Sequence, residues 1–233
     1  MNINAAPRLL SSIKRHVVPS GRRIRHVPFG LYRRLRLNLD LGSQMQTYLG
    51  LWERETHRDI RRLVHHVRWL IDVGAGAGEL CLLFKKAGTG IVIAAEPQIA
   101  EVALLRENLA ANGLRLSEVE IITKRIGTTE GCIRIDDFKV DSRHAGFIKI
   151  DVDGAELDVL RSGPRLLNSA VDLALLVETH SKRLEDDCMA YLDHFGFHTK
   201  VIRNAWWRVV IPELRPPPHN RWIWAAKRVQ LAT

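Results

Sequence analysis

The chain has 233 residues, 46% of them hydrophobic, which is enough for one full core. No apolar run approaches the roughly 20 residues that span a bilayer. Cys81, Cys132 and Cys188 are odd in number and far apart, so they form neither a disulfide framework nor a zinc knuckle and fit a reducing compartment.

The charge excess of +9 is concentrated at one end. Residues 1–36 hold Arg8, Lys14, Arg15, Arg22, Arg23, Arg25, Arg33, Arg34 and Arg36 without a single carboxylate, while the other 26 Lys and Arg balance the 26 Asp and Glu. The expected organisation is a basic arm over 1–36, a helical lid segment over 37–66 and the main domain over 67–233. Three readings of the arm stand: a solvated extension, a contact with an anionic membrane or substrate, and an organellar transit peptide. The body carries no aromatic–basic recognition motif, so nucleic acid is not the expected partner. The expected location is cytoplasmic, with the arm free to reach the inner face of a membrane.

From residue 67 onward strands and helices alternate. Residues 67–73 read as an apolar strand that ends in a Gly-rich turn. Residues 79–87 form a helix with Leu80, Leu83, Phe84 and Ala87 on its apolar face. A strand over 91–95 closes at Glu96-Pro97, and a helix over 99–111 stops at Asn112-Gly113. Strands follow at 119–122 and 147–152, and then a helix over 155–167 that breaks near Gly163-Pro164. An apolar strand at 173–177 precedes a helix over 184–195 that ends at Gly196. Residues 197–202 and 221–226 make a last antiparallel hairpin. This succession specifies an α/β fold with a doubly wound, mostly parallel sheet.

In such a sheet, ligands bind at the carboxyl ends of the strands. The first ending is Asp72-Val-Gly74-Ala75-Gly76-Ala-Gly78-Glu79. Its glycines permit close approach of a ligand to the backbone. Glu79 occupies the last position of the dinucleotide fingerprint and is a poor neighbour for a pyrophosphate, so a ligand with cationic groups suits Asp72 and Glu79 better. Glu96, 20 residues after Gly76, has the spacing of a carboxylate that accepts ribose hydroxyls. Together these favour adenosine binding.

Two further endings carry Asp151, Asp153 and Glu156, and Glu178 and His180. Asp153 and Glu156 read as helix-capping residues. Asp151, Glu178 and His180 are the expected catalytic group, with His180 or Asp151 as base and Glu178 orienting the acceptor or the imidazole. No resident metal is expected; magnesium held by Asp151, Asp153, Glu178 and His180 is the alternative. The turn of the last hairpin lies at the same sheet edge, which makes Trp207, His219 and Arg221 candidate acceptor contacts.

Residues 72–78, 95–97, 108–114, 148–156 and 178–180, in this order, resemble the FkbM family of class I S-adenosylmethionine-dependent methyltransferases. Residues 48–53 and 219–222 are similar to segments of these enzymes too, so the resemblance covers most of residues 40–226. It implies a seven-stranded sheet, S-adenosylmethionine as methyl donor, and O-methylation of a sugar or polyketide-type hydroxyl. By that resemblance Asp72, Gly74, Ala75 and Gly76 line the methionine moiety, Glu96 and Pro97 the ribose side, Arg125 and Ile126 the adenine, and Asp151 the point of transfer. Glutamate is commoner in the family at position 153, residues 124–127 lack an expected acid, and residues 129–141 are short. An NAD-dependent oxidoreductase and an inactive adaptor of the same fold are the competing readings.

Overall fold

The computed structural model describes residues 21–203 and 221–228. Strands β1 (Arg22–His26) and β2 (Arg36–Asp40) form an antiparallel ribbon of their own. Alternation in β2 buries Leu37 and Leu39, and the loop between the strands buries Val27, Leu31, Tyr32 and Leu35 in the same core. Each leucine so buried contributes roughly 1.5–3 kcal/mol. Residues 1–20 of the expected arm over 1–36 lie outside the described residues, and the correction concerns the remainder. Arg22, Arg23, Arg25, Arg33, Arg34 and Arg36 belong to a folded ribbon, because the apolar residues between them drive it onto the body.

After β2 come α1 (Leu41–Tyr48), a single turn of 3-10 helix (Arg54–Thr56) and α2 (His57–Leu63). Asp40 caps α1 by accepting from the Gly42 backbone N–H, which satisfies an otherwise orphaned donor.

The main sheet contains β3 (Trp69–Val73), β4 (Ile91–Ala95), β5 (Glu120–Ile122), β6 (Gly146–Ile150), β7 (Leu173–Thr179), β8 (His198–Ile202) and β9 (Arg221–Lys227). Their order is β5-β4-β3-β6-β7-β9-β8, with parallel pairing from β5 through β7 and β9 antiparallel to both neighbours. The helices are α3 (Glu79–Lys86), α4 (Ile99–Ala111), α5 (Glu156–Arg161), α6 (Pro164–Ser169) and α7 (Lys182–His194). The break between α5 and α6 falls at Gly163, and Pro164 opens the new helix, where its missing N–H costs nothing.

Side chains on opposite faces of β6 enter different cores. Phe147 joins the layer of α3, α4 and the ribbon, and Ile148 and Ile150 join that of α5 to α7. Lys149 shares the Phe147 side by strand periodicity, under the N-terminal segment. Helix α4 also holds the outer edge of β2: Asn108 Oδ1 accepts from the Asn38 N–H at 2.7 Å, and Asn112 bonds both backbone groups of Arg36. The ribbon is thereby fixed next to the switch in strand order between β3 and β6. No helix among the described residues is long and apolar enough to cross a membrane.

Candidate active site

A cavity of about 720 Å³ opens at the carboxyl ends of β3 and β6, roofed by the N-terminal segment. Tyr32, Gln44, Gln46, Trp52 and Glu53 form part of the roof, and Asp72, Gly74 to Ala77, Glu79, Lys149 and Asp151 form the floor. The size is that of a pocket for a drug-sized ligand.

The floor is shaped by backbone contacts. Gly74 has φ +80°, and a Cβ there would lie 1.9 Å from the Asp151 carbonyl oxygen. Only glycine allows the β3 and β6 ends to meet this closely. The space where a Cβ of Gly76 would lie is open to 4 Å. The Gly76 N–H donates to Glu96 Oε2 at 3.0 Å, and the Gln98 N–H donates to Oε1 at 2.8 Å. Glu96 is therefore buried and fixed beside the glycine turn, with a lone pair on each oxygen to spare.

Asp72 is buried beneath the turn. Its Oδ2 accepts from the Cys81 thiol at 3.4 Å, and its Oδ1 has no hydrogen-bond partner among the described residues. Burial pushes its carboxyl up to about 6, although Lys149 opposes the shift. Glu79 is raised by burial as well. A cationic group of a ligand would offset both costs.

Lys149 is the local counter-charge. Its Nζ lies 2.8 Å from Asp151 Oδ2 and 5.3 Å from the centroid of the buried Trp222 ring. Burial works against its charge, but Asp151, Glu53 and Asp72 outweigh burial and hold its pKa well above the usual lysine value. Glu53 faces Lys149 from the roof, is buried, and sits at φ +48°. Burial raises its carboxyl to about 7.

Beyond the cavity wall the row of strand ends continues with Glu178 and His180. Burial, then a hydrogen bond to Asp151, raises the Glu178 carboxyl well above its usual value. For Asp151, Lys149 and the Glu178 hydrogen bond outweigh burial and keep the carboxyl below its usual value. One proton is thus held between two carboxyl groups, and Asp151 keeps the charge.

His180 Nδ1 lies 2.8 Å from Glu156 Oε1, while its Nε2 is 3.8 Å from Asp153 and 3.9 Å from Glu178. The Glu156 hydrogen bond raises the imidazole pKa against an opposing burial effect. Two expectations are corrected here. The imidazole is oriented by Glu156 and not by Glu178, which is taken by Asp151. Helix α5 starts only at Glu156, with Ala155 at its N-cap, and Asp153 is an exposed side chain that caps nothing. The side chains able to share a metal are likewise Asp151, Glu178 and His180, whose ligand atoms lie within 4.8 Å of one another, without Asp153.

Asp72, Gly74, Ala75, Gly76, Glu79 and Asp151 line the cavity, with Glu96 braced against Gly76. Pro97 and Arg125 are exposed at neighbouring strand ends, and Ile126 is packed in the second core. The Arg221 guanidinium bonds Glu185 of α7 at 2.6 Å, away from the cavity. Trp207 and His219 lie outside the described residues. Lys149 and Glu156 are expected near the site but without a role in it, and Glu53 and Tyr32 are not expected there. For Lys149 a signal was present, since it lies two residues before Asp151 and so on the same strand face.

Residues 115–204 match the methyltransferase FkbM domain, the family that the motifs resemble. No curated protein matches the chain. Among solved structures it is similar to a precorrin-6y C5,15-methyltransferase from Geobacter metallireducens, at 16% identity and a TM-score of 0.51, over 75% of this chain and 86% of that one. A ribosomal protein L11 methylase from Lactobacillus delbrueckii gives 18% identity and 0.50, over 75% and 76%. An S-adenosylmethionine-dependent O-methyltransferase from Thermotoga maritima gives 18% and 0.51, over 75% and 64%. These likenesses establish the class I methyltransferase fold. The domain match and this fold support methyl transfer as the reaction class, with S-adenosylmethionine as the cofactor. The open backbone at Gly76, the fixed Glu96 and the unpartnered oxygen of Asp72 fit that cofactor's adenosine and cationic amino acid ends.

Proposed function

Given the domain match over residues 115–204, we propose that the chain transfers a methyl group to a hydroxyl of a sugar or polyketide-like acceptor. The observation that carries this reading is the His180–Glu156 pair, a base and its orienting carboxylate at 2.8 Å, beside Asp151 at the end of the cavity. A hydroxyl needs a proton acceptor as it attacks, whereas a neutral amine does not.

When bound, S-adenosylmethionine supplies an electrophilic methyl group on a sulfonium centre. The protein's part is to hold and align. Asp72 receives the cofactor's ammonium group, Glu96 its ribose hydroxyls, and the negative charge on Asp151 faces the sulfonium. Neutral His180 donates its Nδ1–H to Glu156 and presents Nε2 to the acceptor hydroxyl, whose proton it takes. Glu156 then stabilises the imidazolium. Positioning supplies the larger share of the rate, and base assistance contributes about 10²–10⁴-fold.

Lys149 provides the cation that a metal would otherwise supply to Asp151. EDTA-treated protein should therefore turn over at an unchanged rate; loss restored by magnesium would favour Asp151, Glu178 and His180 as ligands. The reading as a whole is tested with a labelled methyl donor and hydroxyl-bearing glycan and polyketide fractions. A methoxy product supports it, and methyl transfer only to nitrogen or carbon refutes it.

A further inference from the structure

The roof of the cavity carries an exposed apolar patch that the proposed chemistry does not use. Gly30 and Gly50 cross so closely that a Cβ on Gly30 would lie 2.4 Å from the Gly50 Cα. This crossing sets the loop of Phe29 against the segment of Leu49 and Trp52. Phe29 is 57% exposed, Leu49 40% and Trp52 41%, and the last two line the cavity, so the patch reaches its mouth.

Exposed arginines flank these side chains along the chain. Arg33 and Arg34 are exposed and follow Tyr32 of the roof, and exposed Arg54 reaches the Gly50 carbonyl at 3.5 Å. The whole stretch of residues 1–39 contains nine Lys and Arg and no carboxylate. Exposed apolar side chains flanked by arginines match a bilayer with anionic headgroups, in which the aromatic rings enter the interface and the guanidinium groups meet phosphates. A nucleic acid would use the same cations but would leave the aliphatic Leu49 without a partner.

We propose that this face docks on an anionic lipid bilayer, so that the mouth of the cavity opens toward the membrane and the acceptor hydroxyl is carried by a membrane-embedded amphiphile. The substrate part of this inference rests on the methyl-transfer reading; the docking part does not.

The test is cosedimentation of the full chain with vesicles of phosphatidylglycerol and phosphatidylcholine in equal parts, against vesicles of phosphatidylcholine alone. The same preparations are titrated with S-adenosylmethionine by calorimetry. Binding is expected on the anionic vesicles only, weakened by salt. The pair Arg33→Ser and Arg34→Asn, in which asparagine tolerates the left-handed backbone of position 34, should weaken it roughly thirtyfold at about fivefold per cation. Phe29→Ser should weaken it about tenfold through lost apolar burial. Unchanged affinity for S-adenosylmethionine in these variants shows that they fold. Equal binding to neutral vesicles, variants that bind like the parent, or bulk tRNA that displaces the vesicles would each overturn the docking. Vesicle binding without any cofactor binding would leave the docking standing and remove the methyl-transfer reading instead.

Discussion

At the scale of single residues, the site depends on where charge is kept and where it is relieved. Asp72 bears the clearest cost. Its carboxyl is raised to about 6, so the unfolded chain, with an ordinary aspartate, gives up its proton more readily than the folded one. The resulting penalty is fully present above about pH 6 and vanishes below about pH 4, which amounts to about 2–3 kcal/mol at neutral pH. Asp72→Asn should therefore stabilise the ligand-free protein at pH 7, measured by denaturant titration, while weakening S-adenosylmethionine binding. His180 has the opposite sign. Its folded pKa is raised by Glu156, so the pair's stabilisation is complete below about pH 6.5 and lost as pH rises through the folded value. As the base it works only when neutral, so kcat should rise with pH along that same limb. Glu156→Gln should move the limb to lower pH and cut kcat, and His180→Ala should lower kcat by about 10²-fold or more. A Glu156→Gln profile superimposable on the parent's would remove Glu156 from this role.

At the scale of elements, β6 shows why part of the site could be read from the sequence and part could not. The strand-end rule points to Asp151, Glu178 and His180, and the glycine spacing to Asp72 and Glu96; the fold brings these side chains to one end of the sheet. The sequence puts Lys149 near Asp151 without a role, although the alternation of β6 places both on one side of the strand. Glu156 reads as a cap because its position relative to Asp153 imitates a capping box. The fold starts α5 at Glu156, whose Oε1 accepts from the Gly154 N–H at 3.1 Å and also bonds His180, a pairing across 24 residues that local rules do not encode. Lys149→Met would leave Asp151, Asp72 and Glu53 buried without their cation. Such a loss costs about 3–5 kcal/mol, readable as a fall in the denaturant midpoint. A midpoint within error of the parent's would show that these acids are neutralised in some other way. Gly74→Ala should also destabilise, because its Cβ would force apart the ends of β3 and β6.

For the whole molecule, the doubly wound sheet was legible because each strand and helix keeps its own hydrophobic period from residue 67 onward. The N-terminal third was harder to read. Its arginines drew attention to charge, yet Leu35, Leu37 and Leu39 alternate in a way that specifies a half-buried strand. The roof over the cavity arises only when that ribbon docks on α4 through Asn108 and Asn112, a tertiary event without a local signature. Placed there, Glu53 and Tyr32 join the floor residues and complete an enclosure that the sheet alone would leave open.

Calorimetric titration of the full chain with S-adenosylmethionine, at about pH 8 and at about pH 5, tests the central claim most directly. Binding should be present at the higher pH, weaker by about tenfold at the lower as Asp72 takes up its proton, and largely independent of pH in Asp72→Asn. Absence of binding at both pH values, or equal affinity of the parent and Asp72→Asn at about pH 8, would contradict the account.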